Sequence, residues 1–347
     1  MTERSTALAA SLGIDDRRFA LPGERRFTRA IEDGLDLVEG VLRQELSFAD
    51  RLADVSGRYL LEAGGKRVRP VLALLTAQLG QGATAEVVRA AAAIEITHLA
   101  SLYHDDVMDE AALRRGVPSA HTVYGNSIAI ITGDLLFARA SRMIADLGIE
   151  ALRMQADTFE RLCLGQLHET AGPGEGDDPI EHYLQVLADK TGSLIATAAE
   201  SGVRFSGADP MLIPAVRTYG ERVGIAFQLA DDVLDITDAR ETTGKAPGTD
   251  LRAGVPTMPM LLLRRAAAAG DADAAGLVAR IEATAGAEDD AFLAAVAELR
   301  AHEVTAQTLA EAHRWSEAAL AAIDPLPAGP VKRALTEFAN RVADRDA

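Results

Sequence analysis

The chain is poor in several things, and each shortage excludes something. Of its 347 residues only Cys163 is a cysteine, so no intramolecular disulfide can form and a reducing, cytoplasmic setting is the simple reading. Cys163 itself is expected as a small buried apolar side chain. Aromatics are only 4% of the chain and Trp315 is its one tryptophan, while apolar residues, mostly Ala and Leu, reach 48%. That balance favours packed helices over sheets. No apolar run reaches the roughly 18 residues a membrane-crossing helix needs, and the early charges of MTERSTALAASLGIDDRR do not form a signal peptide. Basic residues are outnumbered, 35 against 52, for a net charge of −17. Nucleic acid is therefore not expected as a partner, and any basic cluster runs against the overall balance.

What the chain does have is a pair of aspartate clusters. The first lies in LYHDDVMDEAALRRG, Leu102 to Gly116. Asp105 and Asp109, one helical turn apart, share a face, with Asp106 beside them. Like charges so placed call for a cation. Mg²⁺ suits them, because it takes oxygen ligands and is often shared between carboxylates and substrate phosphates. Arg114 and Arg115 follow and can grip phosphate oxygens. The second cluster is Asp231, Asp232 and Asp235, in FQLADDVLD. One such motif, taken alone, is at least as readily a solvated acidic face. Two, each running out of an apolar helical stretch, need something to neutralise them.

In chain order, residues 1–26 read as a variable extension. Apolar residues at helical spacing from Phe27 to Leu61 predict one or two core helices. In AGGKRVRPVLALLTAQLG, a glycine break, Lys66, Arg67 and Arg69, and a helix start near Pro70 make an anion site. Taken alone, that stretch is equally a solvated basic turn. Residues 84–109 read as one central helix, apolar on most sides. Its His98 lies two turns before Asp105 and faces the same way; such a histidine is either a satisfied core residue or a phosphate contact. Residues 117–124 read as a loop, and Asp134 as a buried structural carboxylate. Lys190 and Thr191 fall in the middle of the helix IEHYLQVLADKTGSLIATAAESG, where a surface lysine is the plain alternative. Gln228 precedes the second aspartate cluster. The Gly/Thr-rich segment 237–256 reads as a lid after a metal site. The remainder is Ala/Leu-rich helix with Trp315 in packing, and no alternating strand pattern occurs anywhere.

GGKRVRP, HLASLYHDDVMDEAALRRG, GNSIAIITGDLL, DKTGSLI, FQLADDVLD and GKAPGTDL stand in the order and spacing of the trans-isoprenyl diphosphate synthases, the polyprenyl synthetase family, which the chain resembles from about Phe27 onward. The resemblance implies an all-α, isoprenoid synthase-type helical bundle around a central cavity, as a single domain over 27–347 and usually a homodimer. It implies chain elongation of an allylic diphosphate by isopentenyl diphosphate, with about three Mg²⁺ ions drawing off the leaving charge. By the same resemblance, Asp105, Asp109 and Asp231 hold Mg²⁺, with Asp235, Asp106 and Asp232 as further ligands or support. Arg114, Lys190 and Lys245 hold the allylic diphosphate. Lys66, Arg69, His98 and Arg115 hold isopentenyl diphosphate, with Arg67 a weaker candidate. Thr191 and Gln228 line the cavity near the developing cation, and the proton is lost to the released diphosphate, since no dedicated base is evident. One departure stands out: the loop after the second motif lacks the family's usual lysine, the position being Val255.

Product length should be set one turn below the first motif. There the chain has Ala100 and Ser101, where short-chain members carry a bulky aromatic as a floor. These small residues predict an open tunnel and a long-chain product, with Tyr103 a partial obstruction from another face. The alternatives are a short-chain farnesyl or geranylgeranyl synthase, a noncatalytic partner subunit, which commonly loses one aspartate motif, and a terpene cyclase, whose second metal motif usually differs.

Overall fold

The computed structural model describes residues 22–237, 247–284 and 290–344. They form two compact units. One takes the chain up to Glu160, with Leu194–Gly220 and Ile323–Glu337; the other comprises Arg161–Ser193, Glu221–Ala322 and the segment from Phe338. Both are helical. The strands among the described residues are a two-residue ladder, β1 (Leu113–Arg114) against β2 (Val117–Pro118). That hairpin and the short helix after it stand where the sequence reads as irregular loop.

The first unit is built around α4 (Ala85–Met108), with α1 (Pro22–Glu45), α2 (Arg51–Glu62), α3 (Val68–Ala77), the short α5 (Ala120–Tyr124) and α6 (Asn126–Ala145) about it. Helix α1 begins at Pro22, inside the stretch expected as extension, because proline suits a first helical turn, where its missing N–H is no loss. Asp50 starts α2 by accepting from Ala53 N at 2.9 Å, and Thr84 starts α4 by accepting from Val87 N at 3.2 Å. From Val87 to Tyr103 α4 is buried on most sides, as its uniform apolarity demands. Tyr103 is wholly buried, and its hydroxyl donates to Ser56 O and accepts from Leu60 N at 3.3 Å, which ties it to α2. Asp134 is a correction: its side chain is 66% exposed, 3.5 Å from His104 Nε2, because it lies on the open face of α6.

Helix α7 (Ile149–Ala171) opens in the first unit; its Cys163 is exposed, not buried. Helix α8 (Pro179–Leu187) starts on Asp178, which accepts from Ile180 N at 2.7 Å. Then come a single wide turn at Ala188–Gly192, α9 (Ser193–Phe205) and α10 (Ile213–Ile236). The second unit goes on through α11 (Thr249–Arg252), α12 (Met258–Ala268), α13 (Ala272–Thr284), α14 (Asp290–Ala301) and α15 (Glu303–Ala322); the last helix, α16 (Pro330–Ala343), opens in the first unit and closes in the second. Its core runs through Tyr183, Leu229, Leu263, Leu277, Phe292 and Leu299, with Trp315 packed against it. Lys245 lies outside the described residues.

In the first unit α3 and α9 meet at Gly202. A Cβ there would stand 2.0 Å from Thr76 Oγ1 and 2.1 Å from Ala73 O, and Thr76 Oγ1 donates to Ala199 O at 2.8 Å. Gly40 in α1 has nothing within 4 Å. Gly202→Val should therefore destabilise by about 3 kcal/mol or more, since two backbones must part. Gly40→Ala should stabilise by roughly 0.5–1 kcal/mol by removing a flexible residue from a helix interior. Urea unfolding followed by circular dichroism separates the two; equal midpoints would contradict this packing.

Candidate active site

The Gly64–Gly65 break, the start of α3 and the turn between β1 and β2 assemble a cationic cluster in the first unit. Gly64 and Gly65 have φ of 97° and 144°, which permits a turn that side chains resist. A Cβ on Gly65 would lie 2.9 Å from both Arg115 Cζ and Arg67 Nη1, so the cluster needs glycine here. Arg67 and Arg115 themselves adopt left-handed backbone, φ 49° and 54°, strain of the kind concentrated at binding sites.

Each arginine has a different tether. Arg67 is buried; its Nε donates to Glu39 at 2.6 Å, its Nη1 to Glu95 at 3.1 Å and its Nη2 to Leu61 O at 3.3 Å. It is the structural member of the set. Arg115 donates through Nη1 to Leu60 O at 2.9 Å and to Gly64 O. Arg114 clasps buried Asp106, with Nε and Nη2 at 2.7 and 2.6 Å from Oδ1. Arg69 has a buried Nε with no hydrogen-bond partner. Burial, reinforced by the Arg115 charge, pushes its guanidinium down to about 10. His98 stands among these cations. Burial first, then Arg69, Arg115, Arg114 and Arg67, hold its imidazole well below the usual range, so it is neutral. Beneath lies Glu95, 2% exposed, with one oxygen on Arg67 and the other buried without a partner. More guanidinium donors converge here than carboxylates answer them, which is the electrostatics of an anion site.

Of the first aspartates, Asp106 is committed to Arg114, with its Oδ2 buried and unsatisfied. Burial raises its pKa despite the arginine. Asp105 is half-buried and Asp109 exposed at the end of α4, where a ligand can reach them. Lys66 is exposed beside the glycine break. One turn before the aspartates, Ala100 and Ser101 are buried, and Ser101 Oγ donates to His98 O at 2.9 Å.

The second unit holds the other cluster. Asp232 is buried and accepts from Tyr183 Oη at 2.7 Å and from Met258 N at 2.9 Å. Burial pushes its carboxyl up to about 8, so it serves the interior of the unit. Asp235 caps α11, taking Thr249 N at 3.2 Å and Asp250 N at 3.0 Å, while its carbonyl takes Gly248 N at 2.6 Å. Asp231, Gln228 and Thr191 are half-buried. Lys190 meets Glu169 through Nζ. Val255, where the family's loop lysine is missing, is 40% exposed. Sequence reasoning passed over Glu95, Glu169 and Tyr183. Glu169 had a local signal, a carboxylate near the end of an apolar helix; Glu95 and Tyr183 are recognisable only through partners far along the chain.

Every candidate metal donor is a carboxylate oxygen, the chemistry of a hard divalent cation. Among the described residues no three His, Cys, Asp or Glu side chains converge on one point. A cation at these aspartates would complete its shell with water and phosphate, which is how Mg²⁺ is commonly held. The residues fit that group.

The comparisons agree. The polyprenyl synthetase family model matches residues 51–297. The nonaprenyl diphosphate synthase of Mycobacterium tuberculosis is 49% identical over 244 residues, 70% of this chain and 73% of that protein. A polyprenyl synthase from Caulobacter crescentus, solved with calcium and isoprenyl diphosphate, superposes with a TM-score of 0.84 at 31% identity, over 93% of this chain and 98% of its own. A geranylgeranyl pyrophosphate synthase from Corynebacterium glutamicum, also with calcium and isoprenyl diphosphate, gives 0.81 at 40% identity over 94% and 98%. The motifs, the helical fold and these matches together make the chain a member of the polyprenyl synthetase family, all-α with the isoprenoid synthase-type fold, and an enzyme of the prenyltransferase class.

Proposed function

We propose that this chain is a Mg²⁺-dependent trans-polyprenyl diphosphate synthase that adds isopentenyl diphosphate to an allylic diphosphate and stops at a long product. The observation that carries the reading is the arginine cluster around neutral His98, with Arg69 Nε buried and unpartnered. A diphosphate offers the oxygens that cluster lacks. Arg69, Arg115, His98 and Lys66 bind isopentenyl diphosphate, while Arg67, fully engaged with Glu39 and Glu95, holds the cluster in shape. His98 serves as a neutral contact to phosphate, and its depressed basicity keeps it from carrying a proton away.

Asp105, Asp109, Asp231 and Asp235 would hold Mg²⁺, about three ions, together with the allylic diphosphate. When bound, the metal neutralises the departing diphosphate so that an allylic cation can form. Lys190, Arg114 and Lys245 hold the same diphosphate, and the Thr191 hydroxyl and Gln228 amide offer oxygen dipoles near the cation. In this role Lys190 exchanges Glu169 for phosphate.

A long product fits the small side chains at Ala100 and Ser101, the removal of Tyr103 to the α2 side, and the name of the Mycobacterium tuberculosis relative. The Corynebacterium glutamicum structure keeps a geranylgeranyl product as the competing reading. Helix α6 leaves Ile130 42% and Ile131 62% exposed, an apolar face suited to a second copy of the chain. No helix of the described residues is long and apolar enough to cross a membrane.

The deciding assay incubates the purified chain with Mg²⁺, labelled isopentenyl diphosphate and farnesyl diphosphate, and sizes the dephosphorylated products. A ladder extending well past geranylgeranyl length is expected, and no incorporation from any allylic primer would refute the synthase. Ala100→Phe should shorten the ladder, and unchanged lengths would remove Ala100 from the tunnel. Arg69→Ala should raise KM for isopentenyl diphosphate at least about tenfold, with KM for farnesyl diphosphate little changed. Equal rises in both would mean the cluster does not discriminate between the two substrates.

A further inference from the structure

Lys190 and Thr191 do not stand on a regular helix. Between α8 and α9 the backbone widens: Ser193 N donates to Ala188 O, one residue further back than an α-helical bond reaches. Such a π-turn is rare, has no intrinsic advantage over the α-helix, and recurs at functional sites. Something outside the turn must hold it, and the second unit shows what does.

The holder is one stripe of α7. Arg161, Gly165 and Glu169 are spaced four apart and share a face. Arg161 Nε donates to Asp189 Oδ1 at 2.7 Å, and its Nη1 donates to Glu221 Oε2 at 2.7 Å. The second oxygen of Asp189 accepts from Gln185 Nε2 at 2.7 Å, and its carbonyl accepts from Ser193 Oγ at 2.6 Å. Asp189, 8% exposed and directly before Lys190, thus has both carboxylate oxygens and its carbonyl engaged. One turn on, α7 and the π-turn touch backbone to backbone: a Cβ on Gly165 would lie 2.8 Å from Lys190 N. Another turn on, Glu169 receives the ammonium of Lys190. Gly192 lies against Glu221, where a Cβ would come within 3.0 Å of Glu221 O.

We infer that Arg161 is a positioning residue of the reaction, which through Asp189 and Glu221 fixes the π-turn so that Lys190 and Thr191 are aimed at the allylic diphosphate and its cation. The inference rests on the roles proposed above for those two residues. A planar fork that reaches two carboxylates in set directions explains why the position is arginine: a lysine would keep the charge and lose the geometry. The residue itself touches no substrate; it acts by holding the turn.

The test compares Arg161→Lys, Asp189→Asn and Lys190→Ala, each checked for fold and melting temperature, with KM measured separately for farnesyl and isopentenyl diphosphates. In Arg161→Lys, kcat should fall and KM for farnesyl diphosphate should rise, each by about tenfold, since small displacements of a positioning group are costly. KM for isopentenyl diphosphate should stay within about twofold, because the residues proposed to bind it, Lys66, Arg69, His98 and Arg115, belong to the other unit. In the double variant Arg161→Lys, Lys190→Ala, the effect on farnesyl diphosphate should be no larger than that of Lys190→Ala alone, because Arg161 acts through Lys190. Asp189→Asn should reproduce the pattern in a variant that keeps its shape, so poor folding of Arg161→Lys does not end the test. If Lys190→Ala shows the allylic defect while Arg161→Lys and Asp189→Asn do not, the inference is wrong and the synthase reading stands. Equal rises in both KM values, or additive effects in the double variant, also overturn it. If Lys190→Ala leaves KM for farnesyl diphosphate unchanged, the assigned role of Lys190 falls, and this inference with it.

Discussion

Like charges held close together, before any ligand arrives, are the constraint on which the first unit depends. Arg67, Arg69, Arg114 and Arg115 all act on the His98 imidazole. Such a group repels itself, and much of the local structure offsets that repulsion. Glu95 lies beneath Arg67 at 2% exposure, with Glu39 on its other side. Asp106 engages Arg114, and carbonyls of Leu60, Leu61 and Gly64 take further donors of Arg67 and Arg115. Two left-handed arginines and two left-handed glycines are the conformational cost of bringing these groups to one place. Arg69 is left with a buried donor and no partner. An unsatisfied buried donor costs about 1–3 kcal/mol, and binding an anion recovers it.

The second unit meets the opposite problem, carboxylates in place of guanidiniums, and divides them by environment. Asp232 is turned inward onto Tyr183 and Met258 N, with its carboxyl pushed up to about 8 by burial, so it adds little charge. Asp235 accepts from backbone amides, linking the end of α10 to the start of α11. Aspartates within one motif thus have unlike surroundings, and Asp231 is half-buried. The first motif divides in the same way, with Asp106 inward on Arg114 and Asp105 and Asp109 toward solvent. In both motifs the middle aspartate is the structural one. That regularity follows from helix geometry, since a residue next to a ligand on the sequence points about 100° away from it and toward the packed side.

The long helices were legible because their cause is local. Thr84 and Asp50 cap where caps belong, and α4 is apolar on most sides and buried on most sides. The motifs were legible for a related reason: glycines, arginines and aspartates crowd into short windows. What escaped depends on partners remote in sequence. Cys163 and Asp134 are exposed because of the faces of α7 and α6 on which they fall, and helical periodicity in nearly apolar segments does not mark which face is covered. Tyr103 could not be placed without knowing that Ser56 and Leu60 lie opposite it. Glu95, an acid in an apolar helix, has a reason to be there only once Arg67 is seen above it.

The turn that carries Lys190 shows the same limit from another side. DKTGSLI reads as continuous helix, since nothing in its composition breaks one, and propensity carries no term for an extra residue in a single turn. Around the widening, Gly165 lets the backbone at Lys190 approach, Gly192 lies against the Glu221 backbone, and Arg161 bridges Asp189 and Glu221. Remove the bridge and the more favourable α-helical spacing is available, which would turn every side chain beyond the turn by about 100°. The side chains proposed for chemistry at this position thus depend on residues that are not themselves chemical. That dependence is why a lysine at the correct place in the sequence is not yet a lysine at the correct place in space.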